Sequence, residues 1–98
     1  MRPKKTRWVK CLPGPRHFQP RGLSPQGVGL VELTIDEFES IRLADLEGLT
    51  HVKAARLMKV SRPTFTRILA SARQKIADGL VNTKAIRVEG GCCKFINE

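Results

Sequence analysis

The stretch Leu49–Ile68, LTHVKAARLMKVSRPTFTRI, decides how this chain is read. Thr50 is of the N-cap type, and the spacing after it predicts a helix over His51–Met58 with Val52, Ala55 and Leu57/Met58 turned inward. Ala54 and Ala55 are small enough to let a crossing helix approach closely. Lys59 and Val60 are expected to form a turn. Ser61 then caps a further helix, and Pro63 falls in its first turn, where a missing amide hydrogen costs nothing. Two short helices joined by a tight turn make the pattern of a helix-turn-helix, a unit that lays its second helix in the major groove of DNA.

Beyond the turn, Phe65, Ile68, Leu69, Ala72 and Ile76 recur as an apolar stripe, while Arg62, Thr66, Arg67, Ala70 and Arg73 share the opposite face. Asp78-Gly79 reads as a stop, which gives a helix over 61–77 that Leu80 and Val81 could extend. Arginine can donate two hydrogen bonds to a guanine edge, and threonine can offer a hydroxyl to a base or phosphate, or a methyl to thymine. Ser61, Arg62, Thr66 and Arg67 are therefore expected in the groove. Arg73 and Lys75 lie further along and are expected at phosphates. Thr50, His51 and Lys53 open the preceding helix and could grip a phosphate through backbone amides. For any one of these residues the competing interpretation is an ordinary solvated helix face.

On the N-terminal side, Thr34-Ile35-Asp36-Glu37 is a capping box, and Ile35, Phe38, Ile41 and Leu43/Leu46 follow at helical spacing. Gly48 suits a left-handed C-cap, so a first helix is expected over Ile35–Glu47. Residues 1–30 hold five of the six prolines, and LPGPRHFQPRGLSPQGVG within them is expected to be irregular. Only Arg7–Leu12 suggests a short strand there. Lys84–Glu89 (KAIRVE) is a second candidate strand, able to pair with the first within a chain or between chains. The expectation is a mainly α chain: a basic arm over 1–30, a helix-turn-helix three-helix core over 31–81, and a short strand and tail over 82–98.

The charge follows this division. The chain has 98 residues and a formal net charge of +9, which favours a polyanionic partner. Residues 1–22 carry Arg2, Lys4, Lys5, Arg7, Lys10, Arg16 and Arg21 with no acid, and residues 50–77 are likewise basic and acid-free. Glu32, Asp36, Glu37, Glu39, Asp45 and Glu47 fall between them. The arm, with Lys4 and Lys5, is expected to track phosphates or enter the minor groove; a solubilising terminus is the alternative. No apolar run approaches membrane-spanning length and the N-terminus lacks a signal-peptide core, so a cytoplasmic protein without membrane contact is expected.

Cys11, His17, Cys92 and Cys93 are of metal-ligand type and could hold zinc if the two ends of the chain meet. The lack of a C-x-x-C and the adjacency of two of them favour reduced thiols or a redox contact between subunits. Neither histidine has an evident nucleophile partner, and the glycines lack a phosphate-cradling pattern. No catalysis and no cofactor are expected.

Leu33 to Ile76, with LADLEGLT followed by VSRPTFTRILASARQKI, resembles the promoter-reading C-terminal region of bacterial sigma factors. The wider chain, through RPKK, CLP, FQPRG, LTIDEFESIRLADLEGL, SRPTFTRILASARQKIADGLVNTKAI and VEGG, resembles a family of small, largely uncharacterised prokaryotic proteins with a predicted DNA-binding role. The resemblance implies a helix-turn-helix with Ser61, Arg62, Thr66 and Arg67 facing the groove. Lys59 departs from the glycine common in that turn, where a left-handed residue is often needed.

The leading expectation is a sequence-specific regulator of transcription that binds double-stranded DNA as a homodimer or higher homo-oligomer, assembled through the terminal strands. The alternative is a sigma-like interaction module that docks on RNA polymerase through the acidic helix. A nonspecific RNA or chromosomal binder is a third, though the few aromatics argue against single-strand stacking.

Overall fold

The computed structural model describes residues 7–9, 16–22, 28–89 and 93–95. It is mainly helical, with a small three-stranded sheet beside three helices. The strands are β1 (Arg7–Val9), β2 (Arg16–Phe18), β3 (Leu30–Leu33), β4 (Ala85–Val88) and β5 (Cys93–Phe95); the helices are α1 (Ile35–Ile41), α2 (His51–Met58) and α3 (Arg62–Val81).

Helix α1 begins as its sequence dictates. The Thr34 hydroxyl accepts from the Glu37 amide at 3.4 Å, and the Glu37 carboxylate accepts from the Thr34 amide at 2.9 Å. The expected first helix is not uniform, however. After Ile41 it widens into a π-helical turn over Arg42–Leu46, closed by a hydrogen bond from the Glu47 amide to the Arg42 carbonyl. Gly48, at φ +72°, then reverses the chain in the left-handed conformation.

Helix α2 ends in a Schellman arrangement. Lys59 adopts the left-handed conformation (φ 57°, ψ 44°), and the Val60 amide reaches back to the Ala55 carbonyl at 3.0 Å. Lysine thus takes the conformation for which glycine is the usual choice. Ser61 caps α3 by accepting from the Thr64 amide. The inward face of α2 differs from expectation: Ala54, Ala55 and Met58 are buried, whereas Val52 and Leu57 are about half exposed. The alanines let α3 pass so close that α2 buries a narrow strip rather than a broad face.

Helix α3 does not stop at Asp78-Gly79 but continues to Val81. Gly79 is buried, and a Cβ there would stand 2.8 Å from Cγ1 and Cδ1 of Ile86. This glycine admits a strand rather than ending a helix.

That strand is β4, the centre of the sheet β2–β4–β3. It runs parallel to β3, with Val31 opposite Ile86 and Leu33 opposite Val88, and antiparallel to β2, with Phe18 opposite Ile86. Two expectations are corrected here. The segments near Arg7–Leu12 and Lys84–Glu89 do not pair with each other: β1 lies parallel to β5, and β4 takes β2 and β3. The supposedly irregular arm also contributes β2, because pairing with β4 supplies the ladder that its own composition does not announce.

One core cluster joins Leu43, Ala54, Ala55, Met58, Phe65 and Leu69; the other joins Leu33, Ala72 and Val88. Ile41 packs against both.

Candidate nucleic-acid interface

The candidate surface is built from α2, its turn and the first turns of α3. Phe65 and Leu69 anchor α3 with essentially no exposure, and this turns Arg62, Thr66, Arg67 and Ala70 outward. Ser61 is exposed, but its hydroxyl is engaged: it donates to Thr64 Oγ1 at 2.9 Å while accepting from the Thr64 amide. Thr50 is similarly occupied in capping α2, where its hydroxyl accepts from the Lys53 amide at 3.2 Å. Lys53 is exposed.

His51 is half-buried between the two helices. Its Nδ1 shares a hydrogen bond of 3.0 Å with Thr66 Oγ1. Its ring meets Phe65 edge-on, with centroids 5.4 Å apart and planes at 67°. This histidine therefore joins the start of α2 to the second turn of α3.

Further along α3 the basic residues have intramolecular partners. Arg73 donates through Nη2 and Nε to the Asp45 carboxylate, at 2.6 and 3.2 Å. The Arg73 bond and charge hold Asp45 below the ordinary carboxylate range, and Asp45 in turn raises Arg73. Lys75 turns toward α1 and donates to Glu37 at 2.8 Å. Ser71 donates to the same carboxylate at 2.5 Å. Burial pushes the Glu37 carboxyl upward, but the bonds from Lys75, Ser71 and Thr34 together outweigh it and leave it below its usual range.

The remaining ion pairs follow the same rule. Arg42 grips Glu39 with two nitrogens, at 2.8 and 2.9 Å, and also reaches Glu47. Lys84 pairs with Asp78, and Arg87 with Glu32 and Glu89. Lys53, Arg56, Arg62 and Arg67 are exposed and have no acidic partner among the described residues. All four lie on α2 and the first two turns of α3. Arg56 was not singled out from the sequence, although its place in the acid-free run of residues 50–77 was the available signal. Arg21, in the turn after β2, is also exposed and has no acidic partner among the described residues.

Lys4, Lys5, Cys11 and Cys92 lie outside the described residues. His17 is exposed in β2, and Cys93 begins β5. Among the described residues, no group of three or more His, Cys, Asp or Glu is arranged to hold a metal ion. Nor is any described helix long and apolar enough to cross a membrane.

The fold and the candidate surface define a mainly helical, strongly basic protein in which Lys53, Arg56, Arg62 and Arg67, exposed and without an acidic partner among the described residues, lie on two consecutive helices. The chain belongs to the family described as "Protein of unknown function DUF134", which matches residues 1–96. It is 56% identical over 97 residues to a UPF0251 protein of Thermoanaerobacter pseudethanolicus, covering 99% of this chain and 82% of that one. A UPF0251 protein of Thermoanaerobacter sp. (strain X514) is 59% identical over 97 residues, covering 99% and 86%. One from Chlorobaculum tepidum is 53% identical over 90 residues, covering 92% and 59%. No solved structure matches the chain.

Proposed function

We propose that this chain is a sequence-specific, double-stranded DNA-binding protein and a regulator of transcription. In this reading α2, the Lys59–Ser61 turn and α3 act as a sigma-like helix-turn-helix. The observation that carries it is the distribution of unpaired charge: Glu32, Glu37, Glu39, Asp45, Glu47, Asp78 and Glu89 each hold a cation, while Lys53, Arg56, Arg62 and Arg67, on α2 and the start of α3, have no acidic partner among the described residues. Such an acid-free basic face, on a helix whose opposite side is locked in a core, has the chemistry that base edges and phosphates require.

Arg62 and Arg67 are the proposed base-reading arginines, with Thr66 between them. Lys53 and Arg56 would meet phosphates, together with Lys4 and Lys5 of the arm. Arg73 and Lys75 take a lesser part, since each already has a carboxylate. A three-helix unit reads few base pairs, so the proposal includes a homodimer on a twofold-symmetric site.

Docking on polymerase through the acidic helix is less well supported. Asp36, Glu37 and Glu39 are buried, and the exposed Asp45 and Glu47 are paired with Arg73 and Arg42.

A fluorescence-anisotropy titration with genomic DNA fragments at low salt tests the reading. Duplex affinity that falls when Arg62 and Arg67 become alanine is expected. Absence of affinity, or affinity untouched by those changes, would refute it. Arg67→Ala should cost about 1–3 kcal/mol at the cognate site and relax one base position.

A further inference from the structure

We infer that His51 is a positioning residue for base recognition: by holding the Thr66 hydroxyl, it leaves Thr66 to present its methyl group, and thus to select thymine. The inference rests on the DNA-binding reading above and deepens it at one position.

Threonine is an ambiguous reader. Its hydroxyl donates or accepts toward any base or a phosphate, whereas its methyl packs against the C5-methyl of thymine. The two groups branch from one carbon, so fixing one directs the other. Here Oγ1 is turned to α2 and bound at 3.0 Å to His51 Nδ1. Whichever partner supplies the hydrogen, that bond commits Oγ1 to the His51 ring at the start of α2. Thr66 is itself exposed, between Arg62 and Arg67. The branch of this exposed side chain left free of that bond is the methyl.

His51 is well placed to keep this arrangement. The first residue of α2 after the Thr50 cap, it is half-buried, and its ring rests edge-on against Phe65, which has no exposure. A ring held by a core aromatic on one side offers a fixed acceptor or donor on the other. Free rotation of Thr66 would leave a mixed surface with weak base preference. Anchored, it offers an apolar spot flanked by two guanidiniums, which fits a thymine between guanines or phosphates.

The decisive probe is a duplex enriched from a random pool by the wild-type protein, with each thymine replaced in turn by uracil. That exchange removes only the methyl. One position is expected to lose roughly four-fold in affinity, the scale of one buried methyl. Thr66→Ser, which keeps the hydroxyl and lacks the methyl, should abolish the difference there. Thr66→Val, which keeps a methyl and lacks the hydroxyl, should retain the thymine-over-uracil ratio whatever its effect on affinity. His51→Ala should shrink the ratio. His51→Asn, whose carbonyl oxygen falls near the place of Nδ1, should restore it, with thermal melting confirming that each variant is folded.

A ratio of one at every thymine overturns the inference while leaving DNA binding intact, and so does a ratio unchanged in Thr66→Ser or His51→Ala. A wild-type protein that enriches no duplex overturns the DNA-binding reading and this inference together.

Discussion

Lys59, Gly79 and Glu37 show how single side chains set the geometry of α3. Lys59 sits at φ 57°, where a side chain costs about 1–2 kcal/mol, while glycine carries an entropic penalty of about 0.5–1 kcal/mol. Lys59→Gly is therefore expected to stabilise the fold by about 0.5–1 kcal/mol, seen as a higher urea midpoint at unchanged slope. Gly79→Ala goes the other way. Helix propensity favours alanine by about 1 kcal/mol, but a Cβ 2.8 Å from two atoms of Ile86 overpacks a strand fixed on both sides. Overpacking wins, with a net loss of about 1 kcal/mol in the same measurement. Glu37 has its carboxyl held below the ordinary range by Lys75, Ser71 and Thr34 against the opposing effect of burial. Because the folded-state value is the lower one, its contribution is full above the unfolded carboxylate range. It disappears as pH falls through the lowered value. Glu37→Gln should lower stability at neutral pH by about 1–3 kcal/mol and flatten the acid limb of a stability-against-pH curve.

Element by element, the helices were legible in the sequence because their signals are local. Thr34, Thr50 and Ser61 cap the three helices in the structure as their residue types imply, and the stripe from Phe65 to Ile76 is the inward side of α3. The sheet was not legible, since β2, β3 and β5 acquire their pairing from partners distant in sequence. The end of α3 is settled in the same way: of the two ends left open, the stop at Asp78-Gly79 gives way to the extension through Leu80 and Val81, because Gly79 answers to Ile86 and nothing near Gly79 in the sequence reports that contact. At the candidate site the exposed residues could be named from periodicity, whereas their occupancy could not. Arg73 lies roughly 16 Å along α3 from Arg62 and is tied to Asp45. Exposed pairs of this kind contribute under about 1 kcal/mol, so Asp45→Asn should leave the melting temperature nearly unchanged. If α3 reads DNA, the freed Arg73 should reach an additional phosphate. The plot of log affinity against log salt should then steepen by about one unit. An unchanged slope would keep Arg73 off the DNA.

At the scale of the whole molecule, the question is whether the α2–α3 pair could serve as an independent reading head. The packing says that it cannot. Phe65 and Leu69 bind α3 to α2 and Leu43, Ala72 binds the same helix to Leu33 and Val88, and Ile41 packs against both groups. Strand β4 therefore supports the exposed face of α3 from behind, although it shares no residue with it. Val88→Ala removes two methyls from a side chain that is only 6% exposed, and should cost about 2 kcal/mol. Leu69→Ala in the other cluster should cost about 2–5 kcal/mol. In a cooperative core each change lowers a single melting transition, by several degrees per kcal/mol for a chain of this size. Far-UV circular dichroism and amide exchange in α2 should report the same shift for Val88→Ala, despite its distance from that helix in sequence. Exchange in α2 that stayed at the wild-type rate would mean that the helix pair holds itself together without the sheet. DNA affinity in Val88→Ala should fall only at temperatures where the variant begins to unfold, because the changed residue lies behind α3 and touches none of the proposed contacts.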